Sequence, residues 1–115
     1  LEHLMKVVNV IGCHGRAVIV GRGANFILPP QERFAVRVVA PFEARIQSFV
    51  RRFGMSRKDA KRRILNTESK RRAFVRQSFH ENITDPHNYD LIINTGKLSI
   101  NSATTAVIAA IRSGQ

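Results

Sequence analysis

Arginine is the residue type best placed to do chemistry in this chain. Arg72 and Arg76 stand four apart, so a continuous helix carries them on one face, where two guanidinium groups can converge on one phosphate. They close a run, residues 45–76, that holds twelve Lys and Arg side chains against two carboxylates, Asp59 and Glu68. That stretch carries about ten of the chain's eleven net charges. Arg62 and Arg63 lie earlier in the run and reach the same phosphate site if residues 66–69 form a hinge. Arg22 is a separate case: it sits between Gly21 and Gly23, directly after an apolar segment, at the carboxyl edge where open α/β sheets bind ligands. A solvated helix face is the plainer account of any single arginine in the run, and an exposed turn the plainer account of Arg22. The density of the run favours an anionic ligand, because surface helices ordinarily mix Glu with Lys and because repulsion within the run falls when an anion binds.

Other chemistries lack their residues. A phosphate-binding loop needs Gly-x-x-x-x-Gly-Lys-Ser/Thr. Gly12-Cys13-His14-Gly15-Arg16 is too short for it, and Gly96-Lys97-Leu98 lacks both the hydroxyl and the upstream glycine. The stretch from Gly21 to Phe26 begins like a dinucleotide fingerprint but has Phe26 where the third glycine belongs. His3, His14, His80 and His87 are scattered, and Cys13 with His14 falls short of a zinc ligand set, so no metal site is expected. Cys13 reads as a small buried residue, since no histidine-and-orienter pattern accompanies it. A single cysteine excludes an intrachain disulfide and fits a reducing, cytoplasmic setting. The apolar runs reach about six residues, far short of the roughly 20 that cross a bilayer, and no signal-peptide pattern opens the chain.

The elements that must position these arginines are those of one domain, since 115 residues support one modest core. Leu4, Val7, Val8 and Ile11 predict a helix over residues 1–11 that Gly12 and Gly15 end. Residues 17–20 read as a strand buried on both faces, followed by the glycine-bearing loop of Arg22. After the turn at Pro29 and Pro30, residues 34–40 form a second strand. Pro41 opens a helix over residues 42–53, with Ile46, Phe49, Val50 and Phe53 inward, and Gly54 ends it. Ser56 and Asp59 start the next helix, which runs to about Leu65; after a break at residues 66–69 a further helix covers residues 70–80. Residues 81–88 are a loop and residues 90–94 the third strand. Ser99 caps a closing helix with Ala103, Val107, Ala110 and Ile111 inward. The alternation predicts an α/β fold, a partial three-stranded parallel sheet with flanking helices. So thin a sheet, and a start at Leu1 in helix-like sequence, lead us to expect that part of the domain precedes this segment.

Several stretches occur in a characteristic order: Val-Ile-Val-Gly-Arg-Gly-Ala-Asn (residues 18–25), Phe-Ala-Val-Arg-Val-Val-Ala-Pro (34–41), Arg72-Ala73-Phe74-Val75-Arg76, and Asp-Pro-His-Asn-Tyr-Asp-Leu-Ile-Ile-Asn-Thr-Gly (85–96), with Leu98-Ser99 before the last helix. Together they resemble the cytidylate kinase-like family of nucleoside monophosphate kinases, over nearly the whole chain. The resemblance implies a P-loop kinase-like fold with a basic helical lid over about residues 56–80, and phosphoryl transfer from ATP, with Mg2+, to a monophosphate such as CMP. It implies that Arg72 and Arg76 are catalytic lid arginines, that Arg22 binds substrate, that Arg62 or Arg63 lies near the nucleotide, and that Gly96, Lys97 and Leu98 border the base. The family's first strand, phosphate-binding loop and monophosphate-binding helices would precede Leu1. The expectation is therefore a C-terminal portion, inactive alone, in a single incomplete domain. Where related lids carry Asp ahead of the arginines, this chain has Glu68.

Two other readings compete. The basic run fits a nucleic acid backbone, although the sparse aromatics give little sign of base stacking. The fold also fits a non-catalytic regulatory or assembly domain. A truncated sheet edge near Ala17 would invite pairing with another copy.

Overall fold

The computed structural model describes residues 2–14, 18–20 and 23–113. Helix α1 covers Glu2–His14, with Glu2 in its first turn, where the helix dipole favours an acid. It runs past Gly12, correcting the expected stop: one glycine inside a helix costs about 1 kcal/mol, too little to end it. Val8 is buried, but Val7 is exposed. The face that packs is therefore narrower than the sequence spacing predicted.

The short helix α2, Ala24–Ile27, lies against α1, and Val8, Ala24 and Leu28 form one small core with Leu4, Ile19 and Ile27 around it. Gly23 precedes α2 at φ 66°, and a Cβ there would lie 2.7 Å from the Phe79 ring. Only glycine fits this approach.

Residues 18–20 are not a strand, and Val18 and Val20 are 93% and 87% exposed. The strand expected at residues 17–20 is thus corrected over its described part, and the sheet has two strands rather than three among the described residues. Ala17, with its expected edge, lies outside the described residues.

The sheet has two parallel strands, β1 Val36–Val39 and β2 Leu91–Asn94, in the register Val36↔Leu91 to Val39↔Asn94. The Asp90 carboxylate accepts from the Ala35 N–H at 2.7 Å, and the Asp90 and Leu91 N–H groups both donate to the Ala35 carbonyl. This side-chain lock takes the place of a further ladder step, so both strands start later than expected.

Between the strands run α3, Phe42–Phe53, and α4, Arg57–Phe79. Gly54 ends α3 at φ 64°, its N–H bonded to the Val50 carbonyl. Ser56 Oγ accepts from the Asp59 N–H at 3.1 Å and caps α4. Ile46, Ala60 and Ile64 form the second core, with Phe42, Phe49, Val50 and Met55 packed against it. The expected break at residues 66–69 is absent: α4 is one helix of 23 residues. Asn66, Thr67, Glu68 and Ser69 each cost only tenths of a kcal/mol in a helix. Ile64 and Val75, buried on either side, hold the helix through them.

After a 3-10 turn at Pro86–Asn88 and strand β2, helix α5 covers Ile100–Ser113, with Ser99 Oγ accepting from the Ser102 N–H. Ala103, Val107 and Ala110 are half-buried, but Ile111 is exposed. The architecture is mixed α/β: five helices and a two-stranded parallel sheet among the described residues.

Candidate functional site

Along the open edge of β1 runs a cleft of about 840 Å3. Residues 36–40 form its floor, the second half of α4 one wall, and Ile19, Val20, Asn25, Phe26 and Leu28 contribute to the other. Helix geometry decides which α4 side chains reach it. Ala60, Ile64, Thr67, Arg71 and Val75 follow one another at spacings of three and four, so they share one face. That face places Arg71 in the cleft, with Arg72 beside it.

Arg45 ties the helix to the strand. Its Nε donates to the Ala40 carbonyl at 3.1 Å, just past the end of β1. Its Nη1 is ion-paired with Glu68 on α4, and its guanidinium lies 5.4 Å from the Phe42 ring centroid. Glu68 is therefore already partnered. Arg33, Arg37, Arg71 and Arg72 are the cleft's other cations, with Glu32 its other acid.

Arg33 donates from Nη1 to the Leu28 carbonyl at 2.6 Å, while its Nε is buried without a hydrogen-bond partner. Arg37 lies 5.9 Å from the Tyr89 ring centroid. Burial raises the Tyr89 phenol above its ordinary pKa and the Arg37 charge opposes the shift; the hydroxyl stays protonated and donates to the Ile83 carbonyl at 2.7 Å. The chemistry on offer is anion binding, by guanidinium groups set against an apolar strand.

The arginines singled out from sequence separate. Both Arg72 and Arg76 are exposed; Arg72 lines the cleft and Arg76 does not. Arg62 and Arg63 are exposed on the first half of α4. With no hinge, Arg62 stays about 15 Å along the axis from Arg72, so the folding-over expected of this pair does not occur. Arg22 lies outside the described residues. Gly96, Lys97 and Leu98 form the turn after β2, where the Gly96, Lys97 and Leu98 N–H groups all bond to Asn94. A Cβ on Gly96 would lie 2.3 Å from Pro41 Cδ, so this turn packs against the chain leaving β1. It sits at the carboxyl end of the strands but outside the cleft lining.

Sequence reading did not single out Arg71 among its neighbours Lys70 and Arg72. The signal was present: Arg71 is seven residues after Ile64, two turns along the buried face. A break placed at residues 66–69 severed that register. Among the described residues no group of three or more His, Cys, Asp or Glu side chains could hold a metal ion. No described helix is long and apolar enough to cross a membrane.

Comparison with known proteins agrees with the ordered motifs. A model of the cytidylate kinase-like family matches residues 2–97, which include every element through β2 and the turn after it. The search of curated proteins finds no match. The chain belongs to the cytidylate kinase-like family.

Proposed function

We propose that this chain supplies the lid side of a nucleotide kinase site, in which the γ-phosphoryl group of ATP passes to a nucleoside monophosphate such as CMP. Membership of the family supports a kinase-related, nucleotide-binding role in general. One observation carries the finer reading: Arg71 and Arg72 stand on the cleft wall beside the open edge of β1, while the acid nearest them in sequence, Glu68, is neutralised by Arg45.

Phosphoryl transfer asks little covalent chemistry of a protein. It needs cations set around the transferring group and water kept away. In this reading α4 is the lid and Arg71 and Arg72 hold phosphate oxygens. Arg22 keeps the substrate contact, and Gly96, Lys97 and Leu98 border the base. The cleft favours Arg71 over Arg76 for the second phosphate contact. ATP fits the residues present only in part: guanidinium groups suit its phosphates, but the sequence has no Gly-x-x-x-x-Gly-Lys-Ser/Thr cradle. For Mg2+ the described residues offer no ligand cluster of their own. These 115 residues therefore bind nucleotide without turning it over. The single cysteine is consistent with a reducing, cytoplasmic compartment.

Two measurements test this. A coupled assay with ATP, Mg2+ and CMP is expected to show no turnover by this chain; clear turnover would overturn the inactive reading. Calorimetric titration with CMP and with ATP is expected to show saturable binding, weakened about tenfold or more in the Arg71→Ala/Arg72→Ala variant, as for loss of charge-assisted contacts of about 1.5–3 kcal/mol. Binding that the double variant leaves unchanged rejects the cleft as the nucleotide site.

A further inference from the structure

The cleft uses one face of α4, and the opposite side of the helix carries a second cationic surface. At 100° per residue, Lys58, Lys61, Arg62, Leu65, Ser69, Arg72 and Arg76 fall within an arc of about 100°. All are exposed, and no acid of α4 lies inside that arc. Arg72, toward one side of the arc, also lines the cleft. Lys58, Lys61, Arg62 and Arg76 do not, and none makes an ion pair with a carboxylate among the described residues; on α4 the paired groups are Arg57 with Glu43 and Glu68 with Arg45.

We propose that this outer face of α4 docks double-stranded nucleic acid through its phosphate backbone, with Lys58, Lys61, Arg62 and Arg76 as the contacts. Because α4 is unbroken, the stripe is rigid and runs about 27 Å from Lys58 to Arg76. A duplex presents one phosphate per about 1.7 Å of its axis over both strands, so a stripe of this length faces several of them across a groove. The arc's one aromatic side chain, Phe79 at its edge, is half-buried. Phe74 and Phe79 are turned inward, with Phe79 stacked on Phe26, so the stacking platform that a single strand needs is missing. An anionic membrane fits less well: an interfacial helix sinks its apolar face into lipid, whereas Ala60 and Ile64 of α4 are buried against α3. The proposal rests on residues outside the nucleotide cleft and stands independently of the kinase reading.

The test is fluorescence anisotropy of a labelled duplex of roughly 20 base pairs, titrated with the 115-residue chain from about 50 to 200 mM salt. Four phosphate contacts predict a log–log salt slope of about −3.6, hence about 150-fold weaker binding across that range. Lys58→Ala/Arg62→Ala/Arg76→Ala is expected to flatten the slope by about three units. A control that removes equal charge from other helices, Lys6→Ala/Arg51→Ala/Arg112→Ala, is expected to keep it. If circular dichroism shows that the α4 triple variant has lost helix, Arg62→Gln and Arg76→Gln decide singly, each taking about one unit from the slope. No binding at low salt, or equal flattening by the control, overturns the proposal. So does capture of phosphatidylserine vesicles that depends on these four residues while duplex binding does not.

Discussion

Helices α4 and α5 invert the usual expectation about which sequences bury themselves. Helix α4 carries nine Lys and Arg residues in 23 and still buries Ala60, Ile64 and Val75. Helix α5 has Arg112 as its one charged residue, yet none of its residues is buried. Burial here follows the partner rather than composition. Ala60 and Ile64 meet Ile46 and its neighbours on α3, whereas α5 packs chiefly against β2 and joins neither core cluster. The charge on α4 is compatible with this because it occupies the other faces of the helix.

The comparison breaks most readily at the core. Ile64→Ala removes a side chain that is 4% exposed and leaves a cavity between α3 and α4, with an expected loss of about 2–5 kcal/mol in urea unfolding. The matching truncation on α5, Val107→Ala, is half-exposed and should cost no more than about 1 kcal/mol. Equal losses would mean that α5 is held as firmly as α4.

These two helices also mark how far the sequence could be read. Local signals were legible: the apolar spacing that sends Ile46 inward, Gly54 as a stop, Ser56 and Ser99 as caps, and the parallel alternation of β1 and β2 across two helices. What failed depended on distant partners. Residues 66–69 look like a break when taken alone, but buried Ile64 and Val75 on either side keep them helical. That one misreading also hid Arg71, whose place on the cleft side of α4 depends on an unbroken register. Residues 18–20 have the composition of a buried strand, but composition cannot supply a neighbouring strand. Ile111 has helical spacing, but it remains 37% exposed and joins no core cluster.

A smaller effect sharpens the contrast at the helix starts. Ser56 and Ser99 make equivalent caps, each accepting from the N–H three residues on at 3.1 Å. Either change to Ala should cost its helix about 1 kcal/mol. Because α4 is packed into the core, Ser56→Ala should lower the global unfolding midpoint. Ser99→Ala should instead speed hydrogen exchange in the first turn of α5 and leave that midpoint nearly unchanged, as expected for a weakly anchored element. A midpoint shift from Ser99→Ala equal to that from Ser56→Ala contradicts this account.

The smallest effect lies on the surface that joins α3 to α4. Glu43, in the first turn of α3, takes a two-pronged hydrogen bond from Arg57 at the start of α4. The hydrogen bond from Arg57 is the main cause that holds the Glu43 carboxyl below its ordinary pKa of 4.5. A carboxylate whose pKa is lowered by folding stabilises the fold above its unfolded value and loses that contribution as pH falls through the folded value. The pair is fully exposed, so the effect is slight and is screened by salt. Unfolding midpoints compared at pH 7 and pH 3 in low salt should therefore fall slightly further in the native chain than in Glu43→Gln. The difference should vanish in about 1 M salt, where the screening length is about 3 Å. Should Glu43→Gln show the same pH dependence as the native chain in low salt, this contact contributes nothing to holding α3 on α4, and the apolar core of Ile46, Ala60 and Ile64 accounts for the whole of it.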